Sequence, residues 1–370
     1  MALRPQDLPA PKPPTMTEGP TRPKVARPTT ALEMASQFGQ DTASAFYDAH
    51  NEPLKRGRAA WTTGNPIIDA GIQSFRSGVW FLGGVENCGK SNFSNCLEMG
   101  ILRNTPGSLV IDLIIDDNRE TRMHQLAAAE GRLPMDLVTI PSLMDKDDPR
   151  REIRRKAYQT LAEDYRGRLE IIDPACWNDR GAYLEEMFAY LRAVRKLHPL
   201  RPIWVTLDAF DDPVLPKGVL EVDRVVHTSG ALKALCNELG DTAPFVVFAI
   251  KHLNKFNRGR WTSGDSLRGS SKLLYDAKIV TLAYSEMGEL GNAAQVSFNP
   301  DPKDPTARSP IFELFFQKNK VGSLKGKRVY FYQFPESYFC SECIPEDQEF
   351  YGAMVSDSAG VQKVLGGKGK

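Results

Sequence analysis

The chain has 370 residues, with 47 Lys and Arg against 46 Asp and Glu and a net charge of +1. That length fits one large or two modest domains, and 41% hydrophobic with 25% charged residues is an ordinary globular composition. No window reaches the roughly 18–20 uninterrupted apolar residues of a membrane span, so no membrane partner is expected. The polar, Pro-rich N-terminus has no apolar signal-peptide core. Balanced charge removes the crudest nucleic-acid signal, a strongly basic domain, but a local basic stripe would be averaged away.

In chain order, residues 1–29 are rich in Pro, Lys, Arg and Thr with little to bury, which predicts a disordered tail. Residues 30–58 comprise one amphipathic helix, with Leu32, Met34, Phe38, Phe46 and Tyr47 at helical spacing, and a basic link from Lys55 to Arg58. From 59 to 350, short apolar runs alternate with helical stretches. Strands are predicted over 79–82, 109–115, 169–172, 203–207, 245–250, 279–284, 311–317 and 328–333. Helices are predicted over 91–104, 119–130, 150–165, 180–198 and 222–240. This alternation predicts an α/β domain with a mostly parallel central sheet and antiparallel strands added near the C-terminus. Residues 351–370, Gly- and Lys-rich from about Ser356, are expected to be a flexible tail.

The six cysteines do not form a secreted disulfide framework, which points to the cytoplasm. Cys340 and Cys343 make the single CxxC. They are either half of a zinc site or two ordinary thiols, since no second CxxC or CxxH accompanies them.

The strongest chemical signal is GVENCGKS, Gly84 to Ser91, which matches G-x-x-x-x-G-K-[ST] between an apolar strand and a helix. Gly84 and Gly89 let the backbone wrap phosphates. The amides of Glu86, Asn87, Cys88, Gly89, Lys90 and Ser91, with the helix start running into Asn92, donate to the anion. Lys90 is assigned to the β- and γ-phosphates and the Ser91 hydroxyl to Mg²⁺. ATP and Mg²⁺ are therefore the expected ligands. Asp208 ends the apolar run PIWVTLD, where it either holds Mg²⁺ through water or simply terminates a strand.

Six phrases then follow in a particular order: TTGNPIIDAGIQSFRSGVWFLGG, NRETRMHQLAAAEG, VTLDAF, LKALCNELGDTAPFVVFAIKHLNK, DSLRGSSKLLYDAKIVTLAYSE and FFQKNKVGSLKG. Together, from about Trp61 to Glu336, they resemble the RecA-like ATPase domain of DnaB-type hexameric replicative helicases. The resemblance implies a P-loop ATPase core that translocates on single-stranded DNA as a homo-oligomeric ring. It also implies a bacterial or phage-infected cell as the setting. The chain departs from the family in lacking its globular N-terminal collar and any primase module, so a separate primase or loader is expected.

Carried over onto matching positions, the resemblance makes Asp116 the water-activating carboxylate, where the family has Glu. An Asp is one methylene shorter, so its carboxylate is set back by about 1.5 Å and Asp117 is an alternative. His252 falls at a γ-phosphate sensor position, although taken alone it is a histidine beside an apolar strand. Lys318 and Lys320 match a pair that reaches the neighbouring subunit's nucleotide; on their own they read as solvated lysines at a turn. Lysine keeps the charge of the family's arginine without its planar fork. The helix over 30–50 matches the family's linker helix.

DNA contacts fall on two loops. The first, residues 211–224, offers only Lys217 and Arg224 among several acids. The second, KFNRGRWTSGDSLRGS, carries Lys255, Arg258, Arg260, Trp261 and Arg268 among Gly and Ser, a composition that suits phosphate tracking and base stacking or else a solvated surface loop. Two other functions stay open beside the helicase: a RecA- or clock-protein-like ATPase switch, and an ATP-binding accessory factor with weak hydrolysis.

Overall fold

The computed structural model describes residues 60–177, 183–215, 219–220, 223–253 and 271–366, with the backbone alone for 271 and 356–366. The Pro-rich segment, the helix expected over 30–50 and the basic stretch 254–270 lie outside the described residues.

The sheet is built from β1 (Gly78–Gly84), β2 (Leu109–Ile114), β3 (Leu169–Ile172), β4 (Ile203–Asp208), β5 (Phe245–His252), β6 (Ile279–Tyr284), β7 (Ser297–Phe298), β8 (Ser309–Asn319), β9 (Arg328–Phe334) and β10 (Phe339–Glu342). Its order is β10-β9-β8-β6-β1-β5-β4-β2-β3, with β7 paired to β8. From β3 to β6 every neighbouring pair is parallel, and β8, β9 and β10 extend the sheet antiparallel. The sequence GVWFLGG of β1 is buried along its whole length, as expected for a parallel strand covered on both faces.

One face carries α1 (Pro66–Ile72), α2 (Lys90–Asn104) and α3 (Arg119–Gly131), whose apolar residues join the sheet in one cluster. At its centre Trp80 meets Trp204, Phe248, Phe93 and Phe75 edge-on or nearly so, with ring centroids 5.3–6.5 Å apart. Short α4 (Met135–Thr139) and α5 (Arg150–Gln159) follow, the latter running into a π-helical turn over Thr160–Asp164. Helices α6 (Leu184–Leu197) and α7 (Arg224–Leu239) pack together, α7 against β1 and β5. The chain closes through α8 (Ser271–Asp276), α9 (Glu286–Leu290) and α10 (Pro345–Gly366).

Every strand and helix predicted between 59 and 350 is present, most to within two residues. The tail expected from 351 is instead a continuation of α10 to Gly366. Tyr351 and Val355, one helical turn apart, pack on Val296, Ile311 and Tyr330, which gives that helix an apolar seat. Strand β10 escapes notice in the sequence because FCSE is short and half polar.

Helix α2 lies close to the entry segment. A Cβ on Gly100 would sit 1.8 Å from the Thr63 carbonyl oxygen. Gly to Ala within a helix ordinarily stabilises by about 1 kcal/mol. Here Gly100→Ala should instead destabilise, by about 1–3 kcal/mol through the forced backbone shift, read as a lower urea midpoint with an unchanged slope.

Candidate nucleotide-binding site

The strand ends set the site. Register pairs Gly84 with His252, Ile114 with Asp208 and Asp208 with Ile250, so β1, β2, β4 and β5 finish side by side. Ligands of open parallel sheets bind beyond such C-terminal ends. Between β1 and α2 the chain turns through Asn87 (φ 60°) and Gly89 (φ 101°), left-handed conformations that let the loop curl before Lys90 starts the helix. Gly84 has no room for a side chain: a Cβ there would stand 2.7 Å from Cys88 Sγ and 3.2 Å from the Ala283 carbonyl oxygen.

The loop borders a cleft of about 530 Å³. Glu86, Asn87, Gly89, Lys90, Ser91 and Asn92 line it on one side, and Asp116, Asp117, Asp208 and His252 on the other. The Cys88 thiol is buried in the core, and burial pushes its pKa up, which leaves its backbone for the amide role expected of it. Lys90 is 5% exposed, and its Nζ donates to the carbonyls of Gly84 (3.1 Å) and Val85 (2.7 Å). These bonds hold the ammonium at the loop's mouth, ready to exchange carbonyls for phosphate oxygens.

Asp208 closes β4 and lines the same cleft as Ser91. Burial, and next the charge of Asp116, push its pKa up to about 7, while Arg122 and Lys90 pull it down. A serine hydroxyl and a carboxylate of this kind are hard oxygen donors that fit Mg²⁺. Among the described residues no group of three or more His, Cys, Asp or Glu is arranged to hold a metal by itself, so such an ion would need phosphate and water to complete its shell.

Of the two candidate bases, Asp117 is engaged: it accepts from the Asn118 amide (2.8 Å) and from Gln125 Nε2 (3.4 Å). Asp116 is exposed at the cleft. Burial, and then the Lys90 cation, lower the pKa of His252, which is therefore neutral near pH 7.

Lys318 and Lys320 lie elsewhere. Asn319 pairs with Ile279 at the start of β6, whereas Gly84 pairs with Ala283 near its end. At about 3.3 Å per residue the two places are roughly 13 Å apart along the strand. Lys318 Nζ donates to the Leu274 carbonyl, and to that of Tyr275 at 3.5 Å, near the C-terminal end of α8. Burial, and next the Lys320 charge, lower its pKa to about 8. Lys320 is exposed. In the first candidate DNA loop, Arg224 donates to the carbonyls of Asp211 (2.9 Å) and Pro213 (2.7 Å), while Lys217 lies outside the described residues. Lys255, Arg258, Arg260, Trp261 and Arg268 also lie outside them. Cys340 joins the apolar cluster beside α2 and Cys343 the one beside α10, and among the described residues no group of three or more His, Cys, Asp or Glu is placed to hold a metal there.

Beneath the loop is a group that sequence reasoning missed. Arg122, 6% exposed, donates through Nε to Asp112 and through Nη2 to Glu98 (2.8 Å), and through Nη1 to Asn95. Glu98, fully buried, also accepts from Ser94 (2.8 Å) and Thr206 (2.6 Å). Burial works against the Arg122 cation, but Asp112 and Glu98 more than offset it and raise its pKa. Burial drives Asp112 up to about 7 against the pull of Arg122, with Glu98 adding to the rise. The one signal in the sequence is an arginine on the apolar side of RETRMHQLAAAEG.

The sequence matches no family model and no curated protein. Among solved structures, one ATPase domain superposes with a TM-score of 0.66 at 15% identity, covering 82% of this chain and 98% of that one. A DnaB-like replicative helicase, described with its interactions with primase, gives 0.63 at 16% identity over 84% of this chain and 71% of that one. The chain has the RecA-like fold of DnaB-type helicase ATPase domains. Six parallel strands with antiparallel strands beyond β6 are the arrangement expected from the motif order.

Replacing Arg122 by Met should cost about 3–5 kcal/mol, because two carboxylates are left buried without their cation. Asp112 already titrates near 7 in the fold, above its ordinary 3.8, and will rise further without Arg122. The folded state then binds the extra proton, so the loss should be largest above pH 7 and shrink as pH falls toward 4. Urea denaturation of both proteins at pH 5 and pH 8 measures this.

Proposed function

We propose that this chain is an ATP-dependent DNA helicase of the replicative type, which assembles as a ring and moves on single-stranded DNA. The observation that carries the reading is the convergence of Lys90, Ser91, Asp116, Asp208 and His252 on one cleft at four adjacent strand ends. An anchor, two metal ligands, a carboxylate for the attacking water and a neutral donor are the parts a phosphoryl-transfer site needs.

In this reading Lys90 leaves the Gly84 and Val85 carbonyls for the β- and γ-phosphates, and Ser91 and Asp208 hold Mg²⁺. The ion neutralises charge that develops on the phosphate oxygens. Asp116 accepts the proton of the water that attacks, and the His252 imidazole, uncharged near pH 7, hydrogen-bonds the γ-phosphate. Lys320, exposed and at the opposite edge of the strands, supplies the cation to the site of a neighbouring copy. The basic residues of 254–270 track DNA in the ring's channel, and a separate primase or loader works with the assembly. The DNA part of the proposal is supported by the shared fold and by that basic composition.

A second reading, an ATP-binding factor with slow turnover, is favoured by the short arm of Asp116 and by the engagement of Lys318 within its own subunit. ATPase activity with and without single-stranded DNA, unwinding of a forked duplex and the mass in solution separate the two. Stimulated turnover with strand displacement by an oligomer supports the helicase. Tight ATP binding without turnover supports the factor.

Lys90→Ala should abolish turnover, and unchanged activity would sink the phosphate-loop assignment. Lys320→Ala should lower turnover by about 10³-fold with the melting temperature unchanged, whereas Lys318→Ala should lower the melting temperature as well, because α8 loses its capping cation. Replacing Arg258 and Arg260 by Ala should flatten the salt dependence of single-stranded DNA binding by about 1.4 in log–log slope; an unaltered slope means these arginines do not touch phosphate.

A further inference from the structure

Helix α2 turns one face to the chain that follows β9. Asn92, Asn95 and Cys96, three and four positions apart, lie on that face. Asn92 Nδ2 donates to the Phe334 carbonyl (3.4 Å) and Asn95 Nδ2 to the Tyr338 carbonyl (3.0 Å). In return Cys340 of β10 places its Sγ 3.6 Å from the Asn92 carbonyl oxygen, one helical turn before Cys96. The Cys96 and Cys340 side chains hydrogen-bond each other, and Cys96 Sγ also lies 3.6 Å from Asn65 Oδ1. Both cysteines are free thiols. Two sulfurs far apart in sequence thus meet on backbones that flanking side-chain bonds hold together.

The two thiols are not alike. Cys340 is 1% exposed within the main core cluster, whereas Cys96 is half-buried against it. Both line a cavity of about 440 Å³ that shares no lining residue with the nucleotide cleft. The hydrogen bond from Cys340 lowers the pKa of Cys96 against the effect of burial. Burial, and next that same bond, raise the pKa of Cys340. The thiolate is the nucleophile, so Cys96 is the sulfur that attacks and Cys340 the one that keeps its proton.

We infer that Cys96 and Cys340 are an oxidative modification site of this chain, closing to a reversible disulfide with Cys96 reacting first. The oxidant is hydrogen peroxide, little larger than water and small enough for the cavity. Cys96 sulfur attacks one peroxide oxygen: an S–O bond forms, the O–O bond breaks, and the leaving hydroxide takes up a proton. The resulting sulfenic acid is attacked by Cys340 sulfur, whose proton goes to the departing oxygen. An S–S bond forms, the S–O bond breaks and water leaves. In sum two thiols give up two electrons and two protons, and the peroxide becomes two waters.

The test uses the full chain, reduced, desalted and exposed to hydrogen peroxide, with remaining thiols then blocked by N-ethylmaleimide. Digestion without reductant and mass spectrometry should find a peptide pair joining Cys96 to Cys340, two hydrogens lighter than its parts and released by dithiothreitol. The oxidised protein should melt at a higher temperature, because the link closes a long loop in the unfolded chain. In Cys340→Ser protein, dimedone should tag Cys96 as the trapped sulfenic acid; in Cys96→Ser protein it should leave Cys340 untagged. The wild-type map needs no variant, so it stands even if either one folds poorly. A link between Cys340 and Cys343 in place of the expected one overturns the inference. So does a Cys96–Cys340 link that forms only in urea, or native protein in which peroxide leaves both thiols open to N-ethylmaleimide. Dimedone on Cys340 but not on Cys96 overturns the order of attack.

Discussion

One guanidinium holds the floor of the cleft together. Arg122, from α3, binds Asp112 on β2 and Glu98 and Asn95 on α2, and Glu98 in turn takes the hydroxyl of Thr206 on β4. Those elements are the ones that border the cleft: α2 begins with Lys90 and Ser91, β2 leads into Asp116, and β4 ends in Asp208. A buried ion cluster contributes little net stability compared with apolar packing, but it tolerates few alternative arrangements. Its directional bonds therefore fix the helix start, the carboxylate loop and the metal-side strand relative to one another. The aromatic group around Trp80 supplies the burial that drives collapse, and the Arg122 cluster selects the register in which the collapsed layers meet.

The same sheet separates the functions of its two edges. The cleft lies beyond the C-terminal ends of β1, β2, β4 and β5, and Lys320 lies past the other end of β6. A subunit cannot bring its own Lys320 to its own phosphate loop without breaking the β6–β8 ladder, so any role of that lysine at a nucleotide belongs to a second copy. Lys318, one residue before the last of β8, has a local task that explains a lysine there without invoking a neighbour: it satisfies carbonyls at the end of α8. The two lysines look equivalent in QKNKVG and are not equivalent in space.

What the sequence makes legible follows from how local the determinants are. The phosphate loop depends on Gly84, Gly89, Lys90 and Ser91 within eight positions, and the strands feeding it are apolar runs such as VWFL and IWVTLD, so both can be seen without knowing what lies across the sheet. Arg122 could not be placed in this way. Its partners are 10, 24 and 27 residues away, and an arginine in RETRMHQLAAAEG reads as a solvated helix position until β2 and α2 are known to converge on it. The end of α10 shows the opposite failure: composition reads as loose, but Tyr351 and Val355 find an apolar seat that only the folded β8 and β9 provide.

Charge balance explains why the cleft calls for a cation along with its nucleotide. Asp208 is half-buried near Asp116, and two further carboxylates close by share one guanidinium. Of the nearby cations, Lys90 answers the loop and Arg122 is spent on Glu98 and Asp112. A triphosphate entering alone would bring its own negative charge toward Asp116 and Asp208. In the proposed site a divalent cation held by Ser91 and Asp208 would offset that charge and favour the ionised form of Asp208, which burial first and the Asp116 charge next push up to about 7. Nucleotide and metal affinities at such a site are necessarily coupled, each raising the other by the same factor.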